Sequence, residues 1–462
     1  MHSKTSRNTG TFFFVLLHRF SFSVAMNTIE QLHQLFLNGA PICTDTRSIT
    51  SGSLFFALKG AQFNGNTFAA KALEAGAVAV VVDEAGWIPE GDHVFLVDDA
   101  LKSLQDLAHH HRKQFNIPVI GITGSNGKTT TKELLNKVLS QKLRVLCTKG
   151  NLNNHIGVPL TLLGLNNTHE LAIIEMGANH QREIELLCNI AAPTHVLITN
   201  VGKAHLEGFG GFEGVKKGKG EMYVYAKENH SVVFINRNNP HLISMLGSYD
   251  HVVSYGTDPS NEVCGTLIEN NSHVALDWRH KELSQKQHIQ SHITGNYNFE
   301  NILSAIAAGM HFGVNPQQIN EAIASYIPDN QRSQEISKGS NHIVLDAYNA
   351  NPTSMEAAIR NFDKNFKGPR AVFLGDMFEL GESSAAEHKA VLELVKSCRF
   401  DKVVLVGPRF KEAGASATDA LFFENSAAAS DWLRQNPLKN YNVLIKGSRS
   451  SKMEVVLEAF ET

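Results

Sequence analysis

Apolar residues in this chain come in short blocks rather than in strict alternation. Val119-Ile120-Gly121-Ile122, Val145-Leu146-Cys147, Leu171-Ala172-Ile173-Ile174 and Val196-Leu197-Ile198 are separated by longer helical or polar stretches. Strands buried on both faces read this way, so residues 117–326 predict a mostly parallel sheet covered by helices. A second series, Ile343-Val344-Leu345, Ala371-Val372-Phe373-Leu374, Val403-Val404-Leu405-Val406 and Val443-Leu444-Ile445, predicts another nucleotide-fold-like sheet within 329–462, its strands flanked by Gly375, Gly407 and Gly447. Ahead of both, strands at 53–58, 77–82 and 93–97 and a helix at 100–113 predict a smaller block. The fold class is therefore α/β with three domains, 26–112, 113–327 and 328–462. In such sheets ligands sit beyond the carboxyl ends of the strands, and the first series ends there on Thr123, Thr148, Glu175 and Thr199-Asn200.

Residues 1–25 stand apart. Lys4 and Arg7 precede Phe12-Phe13-Phe14-Val15-Leu16-Leu17 as in a secretory leader, but His18 and Arg19 break the run well short of the ~20 residues that span a bilayer. The segment reads as an over-extended reading frame or a disordered tail, with Met26 as the start and Thr28 and Gln31 spaced as a capping box. His109-His110-His111 suggests a metal tract, yet consecutive helix positions diverge by about 100°; the tract reads instead as a solvated helix end.

Composition narrows the function classes. Lys+Arg 42 against Asp+Glu 45 gives a net charge of −3 over 462 residues that are 42% hydrophobic. That balance excludes a disordered chain and one that grips nucleic acid by bulk charge. Five scattered cysteines without a CxxC pair indicate neither a disulfide framework nor a zinc ribbon, and suit a reducing cytoplasm.

The strongest chemical signal is Gly121-Ile122-Thr123-Gly124-Ser125-Asn126-Gly127-Lys128-Thr129-Thr130, placed between an apolar strand and a helix at 129–139. This is the setting of a phosphate loop: glycines turn backbone N–H groups toward an anion, Lys128 supplies charge for the β and γ phosphates, and Thr129 offers a hydroxyl to Mg²⁺. The usual GxxxxGK[ST] spacing would put glycine at position 122, which is Ile122. Gly208-Phe209-Gly210-Gly211 lacks both the GxGxxG spacing and a preceding strand, and carries little weight for a dinucleotide site.

Thr123-Gly124-Ser125-Asn126-Gly127-Lys128-Thr129 resembles the T-G-T-N-G-K-T loop of the Mur ligases, ATP-dependent amide ligases of the peptidoglycan stem peptide and relatives of folylpolyglutamate synthase. Further segments match in order. Glu175-Met176-Gly177 resembles the family's magnesium-holding strand end, Asn200 to Glu207 its N-x-G-x-A-H-L-E, and Lys219-Gly220-Glu221 its A-K-x-E, whose lysine is carbamylated and whose alanine is Gly218 here. Taken singly, Glu175 reads as well as a solvated acid, and His205 as an ordinary surface or core histidine; their order after the loop joins them. Thr44-Asp45-Thr46-Arg47, Leu54 to Gly60 and Asn64-Gly65-Asn66-Thr67-Phe68 resemble the uridine-nucleotide domain, and Asn151 to Thr161 the element that faces the UDP-sugar. Asp346-Ala347-Tyr348-Asn349-Ala350-Asn351-Pro352-Thr353-Ser354-Met355, Gly375 to Gly381 and Lys446-Gly447-Ser448-Arg449 resemble the third domain of those members that use a dipeptide. Two departures are Tyr297, where relatives have His in G-x-H-N-x-x-N, and Pro328-Asp329-Asn330-Gln331-Arg332 in place of P-G-R.

The resemblance implies a cytoplasmic, monomeric enzyme that joins D-alanyl-D-alanine to UDP-N-acetylmuramoyl-tripeptide through an acyl phosphate, with ATP, Mg²⁺ and a carbamylated Lys219, and without nucleic-acid binding or membrane insertion. It implies catalytic roles for Lys128, Lys219, His205 and Glu175, and metal ligation by Thr129, Glu175, His205 and the Lys219 carbamate. ATP contacts fall to Gly124, Asn126, Gly127, Lys128, Thr129, Thr130, Asn298, Asn301, Arg332 and Asp346. Substrate contacts fall to Thr44, Asp45, Arg47, Asn66, Asn153, Asn154, Asn349 and Asn351. Two alternatives stand beside it: a sibling ligase adding a single amino acid, against which Asn349-Ala350-Asn351-Pro352 argues, and a nucleotide-dependent regulatory protein without ligation, against which Glu175, His205 and Lys219 argue together.

Overall fold

The structure, a computed structural model, describes residues 28–89, 93–269, 273–414 and 420–460. The readings made for residues 1–25 and for the start at Met26 lie outside these. The chain divides into two compact units, residues 1–110 and 111–462.

In the first unit four short parallel strands run in the order Ile42–Cys43, Leu54–Phe56, Ala79–Val82 and Val94–Leu96. Phe55, Val80 and Val82 point into one core with Ala69 and Ala72 of the helix Ala69–Glu74. The observed strands are shorter than expected, in part because Ser53 and Ala77 serve the turns that lead into them: Ser53 Oγ donates to Thr50 O at 2.6 Å, and Ala77 N to Ala72 O at 3.0 Å. A small hairpin, Lys59–Gly60 with Phe63–Asn64, gave no periodic signal.

The second unit holds two sheets. The larger has nine strands, ordered Gln287–Thr294, His273–His280, Val263–Ile268, Val252–Gly256, Val232–Asn236, His195–Ile198, Val119–Thr123, Leu171–Glu175, Val145–Cys147. The last seven in that order run parallel; the first two close the sheet as an antiparallel meander. That meander was missed because polar residues such as Asp277, Arg279, Gln290 and His292 break up its apolar positions, and Gln287–Thr294 alternates as a strand with one covered face does. Val119–Thr123 lies inside the sheet, with Leu171–Glu175 on one side and His195–Ile198 on the other. The chain leaves it toward one edge and later returns to the opposite side, which makes its carboxyl end a topological switch point.

The smaller sheet orders Gln334–Lys338, Asn341–Asp346, Asn442–Lys446, Arg370–Gly375, Lys402–Val406 and Leu421–Phe423, parallel except for its first strand. The last strand in sequence, Asn442–Lys446, inserts between the second and third and pairs Asp346 with Lys446 at adjacent carboxyl ends.

The histidine tract corrects an expectation. The helix spans Ala100–Lys113 as expected, but its end is not solvated. His111 is buried against Phe115 with its Nε2 on Leu165 O at 2.9 Å, and Arg112 donates to the carbonyls of Phe115, Ile117, Ala191 and Ala192. These four carbonyls hold that guanidinium inside.

Phe373 is fully buried in the core of the smaller sheet, edge-on to Phe460. Phe373→Ala is expected to cost ~3–5 kcal/mol in a urea titration, and a loss below ~1 kcal/mol would contradict this packing.

Candidate active site

The loop after Val119–Thr123 is shaped by what lies beneath it. Gly124 has φ +145°, and a Cβ there would stand 2.0 Å from Thr199 Oγ1, so no other residue fits without moving the neighbouring strand end. Thr199 and Asn200 then fasten the loop: Thr199 Oγ1 donates to Asn126 O at 2.6 Å, and Asn200 exchanges two bonds of 3.0 Å with Asn126. The N–H groups of Ser125 and Asn126 both donate to Asn200, at 3.0 Å. The expected row of N–H groups aimed at an anion therefore begins at Gly127, with the open first turn of the helix Lys128–Leu139. Lys128 curls back, its Nζ donating to Gly124 O at 2.7 Å. Burial, together with the Arg332 charge, pulls its pKa down to about 8 against the opposing pull of Glu175.

Glu175, at the end of the neighbouring strand, is 1% exposed. Its Oε1 accepts from Asn153 Nδ2 at 2.7 Å and Thr129 Oγ1 at 3.3 Å, while its Oε2 has no hydrogen-bond partner. Lys132, fully buried one turn along the phosphate helix, stands 3.8 Å from that oxygen. A buried carboxylate with a bare oxygen beside a hydroxyl is the donor set of a hard divalent cation that keeps other oxygen ligands. Among the described residues no three His, Cys, Asp or Glu side chains gather to hold a metal by themselves, so such an ion would also take oxygens from a bound nucleotide.

His205 lines the same cavity but turns its Nδ1 to the carboxylate of Glu379, which comes from the smaller sheet. Lys219 sits in the helix Phe212–Glu228, 1% exposed, its Nζ over the Phe209 ring and donating to Ala178 O at 3.1 Å. Burial and the Lys128 charge hold its pKa well below the ordinary lysine value. The Nζ stops behind Ala178, which lines the cavity; Lys219 itself does not. Gly218 has a packing reason, since a Cβ there would fall 2.4 Å from Phe209 Cε1. Glu221 is engaged elsewhere, accepting from Arg182 N and Glu185 N at the start of the helix Glu183–Ala191.

The cavity, about 930 Å³, is walled by both sheets of the second unit. Asn126, Gly127, Lys128, Thr129, Thr130, Asn153, Asn154, Glu175, His205, Asn298, Asn301, Arg332, Asp346, Asn349 and Asn351 all line it. Asn351 Nδ2 reaches Asn126 Oδ1 at 2.7 Å, and Asn351 also caps the helix Pro352–Asn365 with Ser354 as a capping box. Asp346 accepts from buried Lys446 at 2.5 Å. Arg332 stacks on Tyr348, 3.8 Å from the ring centroid. Asn298 donates to Thr294 O and accepts from Asn301, so its amide is spoken for. Asn154 Oδ1 accepts from Ile156 N and Gly157 N, making it a turn former.

Thr44, Asp45, Arg47 and Asn66 belong to the first unit. Arg47 clasps Asp45 through both carboxylate oxygens, 2.9 and 2.6 Å, and holds that exposed carboxyl at about 2. Asn66 is buried, its amide shared among Asn64 and Asp83. Lys132, Glu379 and Lys446 were not singled out as site residues. A lysine on the buried stripe of an amphipathic helix was the available signal for Lys132; Glu379 and Lys446 needed the juxtaposition of the two sheets.

Comparison with known proteins agrees with this geometry. Three family models match consecutive stretches: the Mur ligase family catalytic domain over 41–121, the Mur ligase middle domain over 122–309, and the Mur ligase glutamate ligase domain over 331–449. The UDP-N-acetylmuramoyl-tripeptide--D-alanyl-D-alanine ligases of Bacillus subtilis and Escherichia coli are each 35% identical, over 93% and 95% of this chain and 94% and 98% of their own. The crystal structure of MurF from Acinetobacter baumannii superposes with a TM-score of 0.83 at 30% identity, covering 94% of this chain and 98% of that one. That of MurF from Thermotoga maritima in complex with ADP gives 0.82 at 27%, with the same coverage. The chain belongs to the Mur ligase family.

Proposed function

We propose that this protein is an ATP-dependent amide ligase that joins D-alanyl-D-alanine to UDP-N-acetylmuramoyl-tripeptide, giving the pentapeptide precursor of peptidoglycan. One observation carries the reading: a phosphate loop, a buried carboxylate with a free oxygen, and the Asn349–Asn351 turn of a second nucleotide-fold sheet all open on one cavity. Relatives carrying that printed activity match 93% and 95% of the chain. The division into a UDP-sugar domain at 26–112, an ATP domain at 113–327 and an amine-side domain at 328–462 follows the same reading. No helix among the described residues is long and apolar enough to cross a membrane, and ATP and the nucleotide-linked substrate place the reaction in the cytoplasm.

Amide formation needs the carboxylate oxygen turned into a leaving group. The tripeptide carboxylate attacks the γ-phosphorus of ATP, the bond to the bridging oxygen breaks, and ADP leaves with that electron pair. The dipeptide amine then adds to the acyl phosphate carbonyl, inorganic phosphate departs, and the amine gives up a proton. Lys128 and the N–H groups from Gly127 onward neutralise the transferring phosphoryl group, so positioning and charge supply the catalysis. Thr129 and Glu175 would hold Mg²⁺, which when bound offsets phosphate charge. Asp346, fixed by Lys446, takes the ribose hydroxyls, and Arg332 supplies further charge near the phosphates. Lys219, buried against a single carbonyl, would react as a free amine with CO₂, the nitrogen giving up a proton as the N–C bond forms, and the carbamate would stand as an anion where the lysine was a cation. His205, which here faces the Glu379 carboxylate, would be a further ligand of the Mg²⁺ ion.

Three outcomes check this. With Mg·ATP and UDP-N-acetylmuramoyl-tripeptide, phosphate release is expected with D-alanyl-D-alanine and not with a single amino acid; the reverse would move the chain to a sibling activity. Lys219→Ala is expected to lose ligation and regain part of it with added short carboxylates, whereas near-normal turnover would remove the carbamate. Gly124→Ala, which drives a methyl into Thr199, is expected to weaken ADP binding by about tenfold or more in calorimetry; wild-type affinity would contradict the loop geometry.

A further inference from the structure

The turn that joins the two sheets of the second unit is strained. Gln331 and Ser333 both adopt positive φ, +58° and +50°, without being glycine, and such strained positions persist only where the surrounding structure holds them. Between them lies Arg332, whose guanidinium stacks on Tyr348 while its Nε has no partner. Bonds from the smaller sheet fix part of the turn: Tyr348 N donates to Gln331 O, and Ser333 N to Asp346 Oδ1, at 3.3 and 3.4 Å. The bond that reaches it from the larger sheet's side is Tyr297 OH to Ser333 Oγ, 2.7 Å. Tyr297 is in position to make it because Gly295, at φ +97°, has no Cβ; one there would lie 2.6 Å from the tyrosine ring. The same segment is tied down on both sides, by Thr294 to Glu335 and by Asn296 N to Asn361 Oδ1.

We propose that Tyr297 is a positioning residue for the nucleotide: its hydroxyl latches Ser333, and so holds Arg332 and Asp346 of one sheet in register with the phosphate loop of the other. Through this bond Tyr297 acts on Ser333, and through Ser333 on its neighbours Arg332 and Asp346. The ring is 39% exposed at the cavity wall, next to Asn298 and Asn301, which places the latch where nucleotide occupancy is felt. The inference rests on the nucleotide reading of this cavity.

The test is a double-mutant cycle on the full chain, with Mg·ADP as the calorimetric probe. Tyr297→Phe keeps the ring and removes only the hydroxyl; Ser333→Ala removes its partner at the same φ. Each is expected to weaken ADP binding about three- to tenfold, the double variant no further than either, and KM for ATP to rise with kcat little changed. Melting temperature of the nucleotide-free protein is expected to stay with the wild type. Tyr297→Phe binding ADP as the wild type does, effects that multiply in the double variant, or a loss of affinity matched by a fall in nucleotide-free melting temperature would each overturn the latch. A wild type that binds no ADP would overturn the nucleotide reading and the latch together.

Discussion

The close contact between Gly124 and Thr199 is the constraint on which the site rests. It seats the phosphate loop on the end of the strand His195–Ile198, and the parallel register then fixes Glu175 on the loop's other side, with Ile122 opposite Glu175 and Thr123 opposite Ile198. Phosphate donors, the carboxylate and the strand that leads to His205 are thus positioned by sheet geometry and not by loop flexibility. Rigid placement of this kind is what electrostatic catalysis requires, since charges that are already aligned need no reorganisation in the transition state.

A second sheet supplies what the first lacks. Asn351 bonds Asn126, Lys203 pairs with Glu387 at 2.5 Å, Glu379 faces His205, and Tyr297 holds Ser333. Each of these contacts pairs a residue of the larger sheet's part of the unit with one on the loops and helices around the smaller sheet or on the turn that leads into it. Two charged residues of the seam also lie at strained or buried positions: Glu379 has φ +62°, and Lys446 is 1% exposed beneath Asp346. Strain and buried charge persist where surrounding structure over-determines them, and they gather here around one cavity.

Most of the fold was legible because both sheets are mainly parallel and covered on both faces, so their strands are apolar runs that need no tertiary context. The helix Ala100–Lys113 and the strand Val145–Cys147 matched residue for residue. The meander from Val263 to Thr294 was not legible, for polar residues interrupt its apolar positions. In the site, Lys128, Thr129 and Glu175 could be read from motif order, because each follows directly from a strand end. Glu379, Lys446 and the Tyr297–Ser333 bond could not, as their meaning lies in which strand or sheet they face. Asn66 shows the opposite case, a residue chosen by motif whose amide is bonded to Asn64 and Asp83 of the fold itself.

The claim at the centre is that the cavity transfers the γ-phosphoryl group of ATP onto a substrate carboxylate. UDP-N-acetylmuramoyl-tripeptide labelled with ¹⁸O in its acceptor carboxylate, incubated with Mg·ATP and D-alanyl-D-alanine, tests it directly by mass spectrometry of the phosphate released. One labelled oxygen in each inorganic phosphate, formed together with ADP, is the result expected. Unlabelled phosphate accompanying ligated product would contradict the account.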